Sequence, residues 1–287
     1  MLISIMTPVY NRADLLKNVF ASLQNQTLFN FEWIIINDGS TDHFLDIKSQ
    51  FHSDKFPVKV LTKKNGGKHT AINLGVAESA GEWVFILDSD DWLVPEACEL
   101  IQDAIFSSES DIDGYIFLKA NQELKLIGQQ VKTKNKNLHT EDLVSMKGDK
   151  AYIVRTSVMK NYPFPEYPDE KFVTESFIWN QIFDEGKSQA VVINKVIYAG
   201  EYLPGGLTAG YFPLLKKNVS GTFCFVMSNL TLKKVTLDVY KQAAYHFIPV
   251  SNLKNIIRVG SGIRKMRFVF FLAILFLMFL KLKLVKK

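Results

Sequence analysis

Gly81-Glu82-Trp83-Val84-Phe85-Ile86-Leu87-Asp88-Ser89-Asp90-Asp91-Trp92 is the stretch that decides the fold. Trp83 to Leu87 is a short apolar run and reads as a buried strand. It ends in three carboxylates within four residues. Like charges at a strand end repel one another, and an isolated buried carboxylate is costly. Something cationic belongs there, and a divalent metal with oxygen ligands is the natural candidate. Such an ion is often held by one or two carboxylates and completes its shell with substrate phosphates. The bland alternative is a solvated acidic turn ahead of the helix that Pro95 begins.

Three earlier runs end in the same manner. Leu2 to Met6 reads as a first strand, broken by Thr7-Pro8-Val9-Tyr10-Asn11-Arg12. Pro8 lacks a donor and fits a strand end. Ala13 to Leu23 has helical spacing, with Asn11 as its cap. Arg12 would reach phosphate in that loop, and Tyr10 offers a flat face for a base. Phe31 to Ile36 is a second strand, followed by Asn37-Asp38-Gly39-Ser40-Thr41-Asp42. Asp38 can bond a nucleobase or ribose edge, or simply make an Asx-turn. Asp42 reads as a helix cap.

Val58 to Leu61 is a third strand, followed by Asn65-Gly66-Gly67-Lys68-His69 and a helical pattern from Thr70 to Glu78. The glycines let backbone approach a ligand, and Lys68 supplies charge for phosphate. The spacing is not that of a P-loop. His69 alone carries no catalytic assignment. Four strands, each followed by a polar loop and a helical pattern, predict a parallel sheet with helices on both faces. Their loops gather on one edge, which would hold Tyr10, Arg12, Asp38, Lys68, Asp88 and Asp90. That set suits a nucleoside diphosphate with a metal.

With these residues in view, the chain resembles the family 2 glycosyltransferases of the GT-A fold. Four motifs match in order: Thr7 to Arg12, Asn37 to Asp42, Asn65-Gly66-Gly67-Lys68 with Ala71-Ile72-Asn73-Leu74-Gly75, and Gly81-Glu82 through Asp91. Each is weak alone; four in order over roughly the first hundred residues is specific. The resemblance implies an α/β, Rossmann-like, mostly parallel sheet and a nucleotide-sugar donor, UDP-linked by family habit. It assigns Pro8, Tyr10, Arg12 and Lys68 to donor binding, Asp38 to the base and Asp88 to the ribose side. Asp90 would hold the metal, Mn2+ or Mg2+, that bridges the diphosphate. Asp91 is the competing ligand, and spacing leaves that choice open.

On this reading residues 1–110 form the nucleotide-sugar-binding half of the domain and 111–210 its acceptor-binding half. Residues 211–262 form C-terminal helices, and 263–287 a basic, hydrophobic tail. In the second half, Ile112 to Leu118, Ala151 to Arg155 and Val191 to Ala199 read as strands, with polar loops and an edge strand from Lys119 to Lys150. A proline-rich, charged stretch from Phe164 leads into a helix that Thr174 can cap, with Glu175 in its first turn. A glutamate there serves the helix dipole at the least. In the resembled family an acid at this position is the catalytic base, which deprotonates the acceptor hydroxyl. Glu175 matches best; Glu170 and Asp169 are runners-up. Trp179 suits either a sugar face or the core.

No Gln-x-x-Arg-Trp motif is present, which favours one transfer per encounter over processive synthesis. Gly200 to Thr208 resembles a Tyr-x-x-x-Gly-Leu-[ST] loop of some bacterial members, suited to closing over the diphosphate. Leu214 to Phe247 predicts about two helices.

The 287 residues are 47% hydrophobic and carry a net charge of +5. Seven of the 34 basic residues lie from Arg264 onward, where there is no acid, which leaves 27 basic against 29 acidic residues elsewhere. The basic balance belongs to the tail, and a nucleic-acid partner is not expected. Cys98 and Cys224 are far apart, which argues against a disulfide scaffold or a zinc site. The N-terminus lacks the basic region of a signal peptide.

Phe268 to Leu280 is thirteen consecutive apolar residues between clusters of Lys and Arg. As a helix it spans about 20 Å, short of a hydrocarbon core of about 30 Å. It reads as a membrane-associated segment, shallowly inserted, with cations on anionic headgroups. A short tilted span and a buried core helix are the alternatives. The expected location is the cytoplasmic face of the cell membrane, beside a glycan or lipid-linked acceptor.

The whole reading is a metal-dependent, inverting, non-processive glycosyltransferase of surface-polysaccharide synthesis. Its rival is a membrane-tethered, non-catalytic glycan-binding or scaffold subunit with the same fold.

Overall fold

The computed structural model describes residues 2–108, 111–131, 138, 140–183, 188–200, 210–232 and 234–285. In the first part β1 (Ile3–Val9), α1 (Leu16–Gln24), β2 (Phe31–Asn37), α2 (Phe44–Ile47), β3 (Val58–Thr62), α3 (Lys68–Glu78) and β4 (Trp83–Ile86) alternate. Next come β5 (Asp91–Leu93), α4 (Ala97–Ser107), β6 (Ile112–Ala120), α5 (Thr140–Ser145), β7 (Lys150–Arg155), α6 (Thr156–Asn161), α7 (Ser176–Phe183) and β8 (Gln189–Gly200). The last part is helical: α8 (Tyr211–Lys217), α9 (Val219–Thr231), α10 (Leu237–Phe247), α11 (Leu253–Gly262) and α12 (Lys265–Val285).

The strands form one sheet in the order β3-β2-β1-β4-β7-β6-β8-β5. β3, β2, β1 and β4 are parallel, as the repeated strand–loop–helix pattern predicts. The sheet is mixed but mostly parallel: β6 and β8 are parallel to each other and run in the direction of β1 to β4, while β7, beside β4 and β6, and β5, beside β8, run against them. The physical reason is local: β7 returns beside β4 against its direction, whereas the early connections are helical crossovers that restore direction.

β2 shows why the central strands read as continuous apolar runs. Trp33 and Ile35 point into one core with Leu16, Val19 and Phe85. Ile34 and Ile36 point into the other with Ile72, Val84 and Ile178. Both faces are covered, so Trp33 to Ile36 are all apolar, while the buried Glu32 is satisfied by Ser4 Oγ–H at 2.5 Å and Ala80 N–H at 2.7 Å. A third cluster packs Phe223, Val226, Tyr240 and Phe247 of α9 and α10 against Phe271 and Leu275 of α12.

Pro8 lies inside β1 rather than beyond its end. The Met6 carbonyl accepts from Leu87 N–H on the β4 side, and the Val9 carbonyl accepts from Asp38 N–H on the β2 side. By alternation Pro8 faces the β4 side, where β4 has ended at Ile86, so its missing donor leaves no gap in the ladder.

β4 and β5 are joined by only residues 87–90, yet three strands stand between them in the sheet. The joining segment is turned, with Asp91 N–H donating to the Asp88 carbonyl at 3.1 Å. A flat sheet would hold β4 and β5 about 19 Å apart at 4.8 Å per strand spacing. The sheet therefore curls, and the acidic loop spans the mouth of the curl.

Phe271 and Leu275 are buried against the protein, while Val269, Phe270, Phe276 and Leu277 are exposed. Among the described residues no helix is long and apolar enough to cross a membrane.

Candidate active site

The parallel strands bring four loops to one sheet edge, and side chains tie those loops together. Asn11 does not cap α1. It stands at φ 52°, and its side-chain oxygen accepts from Thr41 N–H at 2.7 Å. Asp42 accepts from Ala13 N–H at 2.9 Å and from Phe44 N–H at 3.2 Å, and so serves both loops. The loop after β1 is thereby fixed to the loop after β2, with Tyr10 exposed at the rim and the Pro8 ring buried beneath.

Two cations then bind the acidic loop. Arg12 pairs with Asp90 at 2.9 Å. Lys68, the first residue of α3, lies 2.5 Å from an Asp88 oxygen and 2.5 Å from a Glu175 oxygen. Glu175 immediately precedes α7, and its carbonyl accepts from Ile178 N–H at 2.9 Å. An acid from the second half of the chain thus meets the strand-end cluster through one ammonium. Burial pulls the Lys68 pKa down, but Asp88 and Glu175 together outweigh it and hold the group above the usual lysine range. At Asp88, desolvation is overcome by Lys68, with smaller help from Lys119 and Arg12, and the carboxyl titrates below its usual range.

Asp38 is placed differently. It is 2% exposed. One oxygen accepts from Lys63 at 3.0 Å and Gly66 N–H at 2.9 Å; the other accepts from Asn65 at 3.2 Å and Gly67 N–H at 2.7 Å. Four donors fill the roughly four acceptor positions of a carboxylate. In this state Asp38 shapes the glycine loop, and a base contact would replace one of these donors. Gly67, at φ +94°, is needed for that loop: a Cβ there would stand 2.0 Å from the Lys171 carbonyl oxygen.

The choice between Asp90 and Asp91 has a geometric basis here. Asp91 starts β5, is 3% exposed and pairs with Lys119 at 2.8 Å. Burial, with the neighbouring Asp88 and Asp90 charges, outweighs Lys119 and pushes its carboxyl up to about 7. Gly200 packs so closely that a Cβ there would overlap the Asp91 carboxylate. Asp91 is thus enclosed, while Asp88 and Asp90 are half-buried at the cleft.

Lys119 escaped the sequence reading, which placed it at the start of a polar loop; β6 in fact runs on to Ala120. The only signal was the need of a buried acid for a cation. Lys63 was missed likewise. Of the runner-up bases, Glu170 accepts from Ser220 N–H at 2.7 Å and Gly221 N–H at 2.9 Å, which caps α9. Asp169 stands in the turn before it at φ 62°. Trp179 is a core residue, stacked on Tyr152 with centroids 4.5 Å apart. His69 is buried, and burial holds its imidazole below the usual range. Apart from Gly200, the Gly200–Thr208 segment lies outside the described residues.

Among the described residues no three His, Cys, Asp or Glu converge as a metal cage. The donors that do face the cleft, Asp88 and Asp90, are hard oxygens already balanced by Lys68 and Arg12. That set fits a Mg2+- or Mn2+-type ion held by one or two carboxylates and substrate phosphate, and it does not fit a closed structural site.

Residues 4–162 match the family described as Glycosyl transferase family 2. A putative glycosyltransferase of Bacillus subtilis, EpsH, is 37% identical over 97 residues, covering 34% of this chain and 28% of that protein. Chondroitin synthase of Pasteurella multocida is 39% identical over 99 residues, covering 34% of this chain and 10% of that protein. The matched part is thus under a third of either relative. In three dimensions the chain is similar to residues 1–349 of S. aureus TarS in complex with UDP-GlcNAc. The TM-score is 0.66 at 19% identity, over 96% of this chain and 88% of that one. A mannosyltransferase of Pyrobaculum calidifontis, solved with GDP-Man and Mn2+, gives 0.56 at 14% identity over 91% of this chain and 79% of that one. These likenesses establish a GT-A-type fold.

Proposed function

Because this chain belongs to glycosyl transferase family 2, we propose that it transfers one sugar from a UDP-sugar to a hydroxyl of a glycan or lipid-linked glycan, with inversion, in surface-polysaccharide synthesis. The observation that carries the reading is the Lys68 bridge, which sets Glu175 beside the strand-end acids. Glu175 accepts the proton of the acceptor hydroxyl as that oxygen attacks the anomeric carbon. Lys68 and Arg12 turn from carboxylates to the diphosphate, whose charge grows as the glycosidic bond breaks. Asp90, with Asp88 beside it, would hold the divalent ion, which when bound supplies further neutralisation of the leaving phosphates. Tyr10, exposed at the rim, offers its ring to the base. The chondroitin synthase relative supports this reading by its activity, and TarS by its nucleotide-sugar complex.

Calorimetry tests it, using UDP, GDP, CDP and TDP with and without Mn2+, on the wild type and Asp90→Ala. Binding of UDP that needs both the ion and Asp90 is the expected result. If no nucleotide binds under any metal condition, transfer is excluded, and a glycan-binding subunit takes its place.

A further inference from the structure

The last 49 residues, Val239 to Lys287, contain ten Lys and Arg and no Asp or Glu. Up to Val285 they include most of α10 and all of α11 and α12. Within α12 the apolar residues divide between two faces, with Phe270 at the border, its ring 4.8 Å from that of Tyr240 on α10. Phe271 and Leu275 are buried on the α9–α10 cluster, with Phe268, Leu272 and Phe279 packed beside them. Met266, Val269, Phe270, Ala273, Phe276, Leu277 and Leu280 are exposed. At about 100° per residue these seven fall within an arc of roughly 120°. They form one continuous apolar stripe, opposite the docked face. Lys265 and Lys281 border the stripe at its two ends and are exposed, as is Arg264 just before the helix. α11 repeats the pattern on one turn: Leu253 is 74% and Ile257 61% exposed, next to exposed Lys254 and Arg258.

We propose that the outward face of α12 is a docking surface for an anionic phospholipid bilayer, on which the helix lies in the membrane plane. The stripe provides apolar area for the acyl boundary, and the bordering cations meet headgroup phosphates by charge complementarity. The inner face stays on the protein, so the helix does not cross. Lying in the plane, the helix would hold the catalytic domain at a surface where lipid-linked acceptors diffuse. The docking itself does not depend on the transfer reaction.

Co-sedimentation of the full chain with phosphatidylcholine vesicles, with and without phosphatidylglycerol, tests this. Binding to the anionic vesicles should exceed binding to neutral ones by at least about tenfold, since each cation near an anionic surface contributes roughly fivefold. It should weaken as salt shortens the Debye length from about 10 to about 3 Å. Phe276→Ser with Leu277→Ser should cut binding at least about tenfold, with the unfolding midpoint unchanged because both side chains point outward. Arg264→Glu with Lys265→Glu should abolish the anionic preference. Equal binding to both vesicle types, or wild-type binding by the Phe276/Leu277 variant, overturns the proposal. So does a Phe270→Trp reporter quenched from the bilayer centre together with resistance to alkaline extraction, which would mean a span. Light scattering covers a second copy as occupant: a dimer dispersed by Phe276→Ser with Leu277→Ser, without vesicle binding, overturns it too.

Discussion

Lys68 and Glu175 meet at 2.5 Å across the cleft, and the same ammonium holds Asp88 at 2.5 Å. One lysine therefore balances two acids drawn from opposite halves of the chain. Lys68→Met should lower kcat/KM for sugar transfer by about 10²–10³-fold, the scale of losing one charged donor to a developing anion. Lys68→Arg keeps the charge and should recover part of the rate. Initial rates over a range of donor concentration check both.

Glu175→Gln separates base catalysis from binding. Turnover should fall by about 10²–10⁴-fold, the usual loss for a general base. Nucleotide affinity should hold or tighten, because Lys68 then has one carboxylate fewer to retain it. Single-turnover transfer measured beside calorimetry on the same preparation decides this. A parallel fall in both quantities would make Glu175 a positioning residue.

The Lys119–Asp91 pair predicts a stability effect. Lys119→Met leaves a buried carboxylate without its main cation and should cost about 3 kcal/mol. Adding Asp91→Asn removes the charge and should restore most of that loss. Urea unfolding of the two variants measures it. Full recovery by the double change, with metal-dependent nucleotide binding intact, would confirm that Asp91 serves the sheet and not the ion.

Away from the cleft, His246 sets a pH dependence. It is buried, its Nε2 lies 2.7 Å from the Tyr211 hydroxyl and its Nδ1 2.8 Å from the Gln242 carbonyl. Burial pulls its pKa from 6.5 to about 4. The unfolded chain takes up the proton near 6.5 and the folded chain only near 4. Stability is thus fully present above pH 6.5 and is lost as pH falls toward 4, by up to about 3 kcal/mol. His69, also held low by burial, adds in the same direction. Denaturation midpoints at pH 7, 5.5 and 4.5 should show the slope, and His246→Gln should remove most of it.

The first four strands and their loops were legible because their signals are local. Apolar runs of strand length, turn residues and helical spacing each act within a few positions, and parallel order follows from the crossovers. Glu175 was legible through resemblance. What the sequence hid depends on distant pairing. Nothing within a few residues of Lys119 tells that it will meet Asp91, and nothing near Glu170 tells that α9 will begin against it. The reversed strand β7 escaped for the same reason, since it chooses its place beside β4 through contacts some 70 residues apart. In the tail, a run apolar all round does not tell from sequence which side α10 will cover.

The four-residue link between β4 and β5 carries a consequence for folding. β5 pairs with β8, whose residues follow it by about a hundred positions. That contact closes one of the longest loops in the chain, and long closures form late because their entropy is lost before contacts repay it. The acids of the link cannot take their final positions until β8 has arrived. The site therefore matures last, after both halves of the sheet have condensed. A nascent or truncated chain lacking β8 would carry every donor-side motif and still present no assembled cleft.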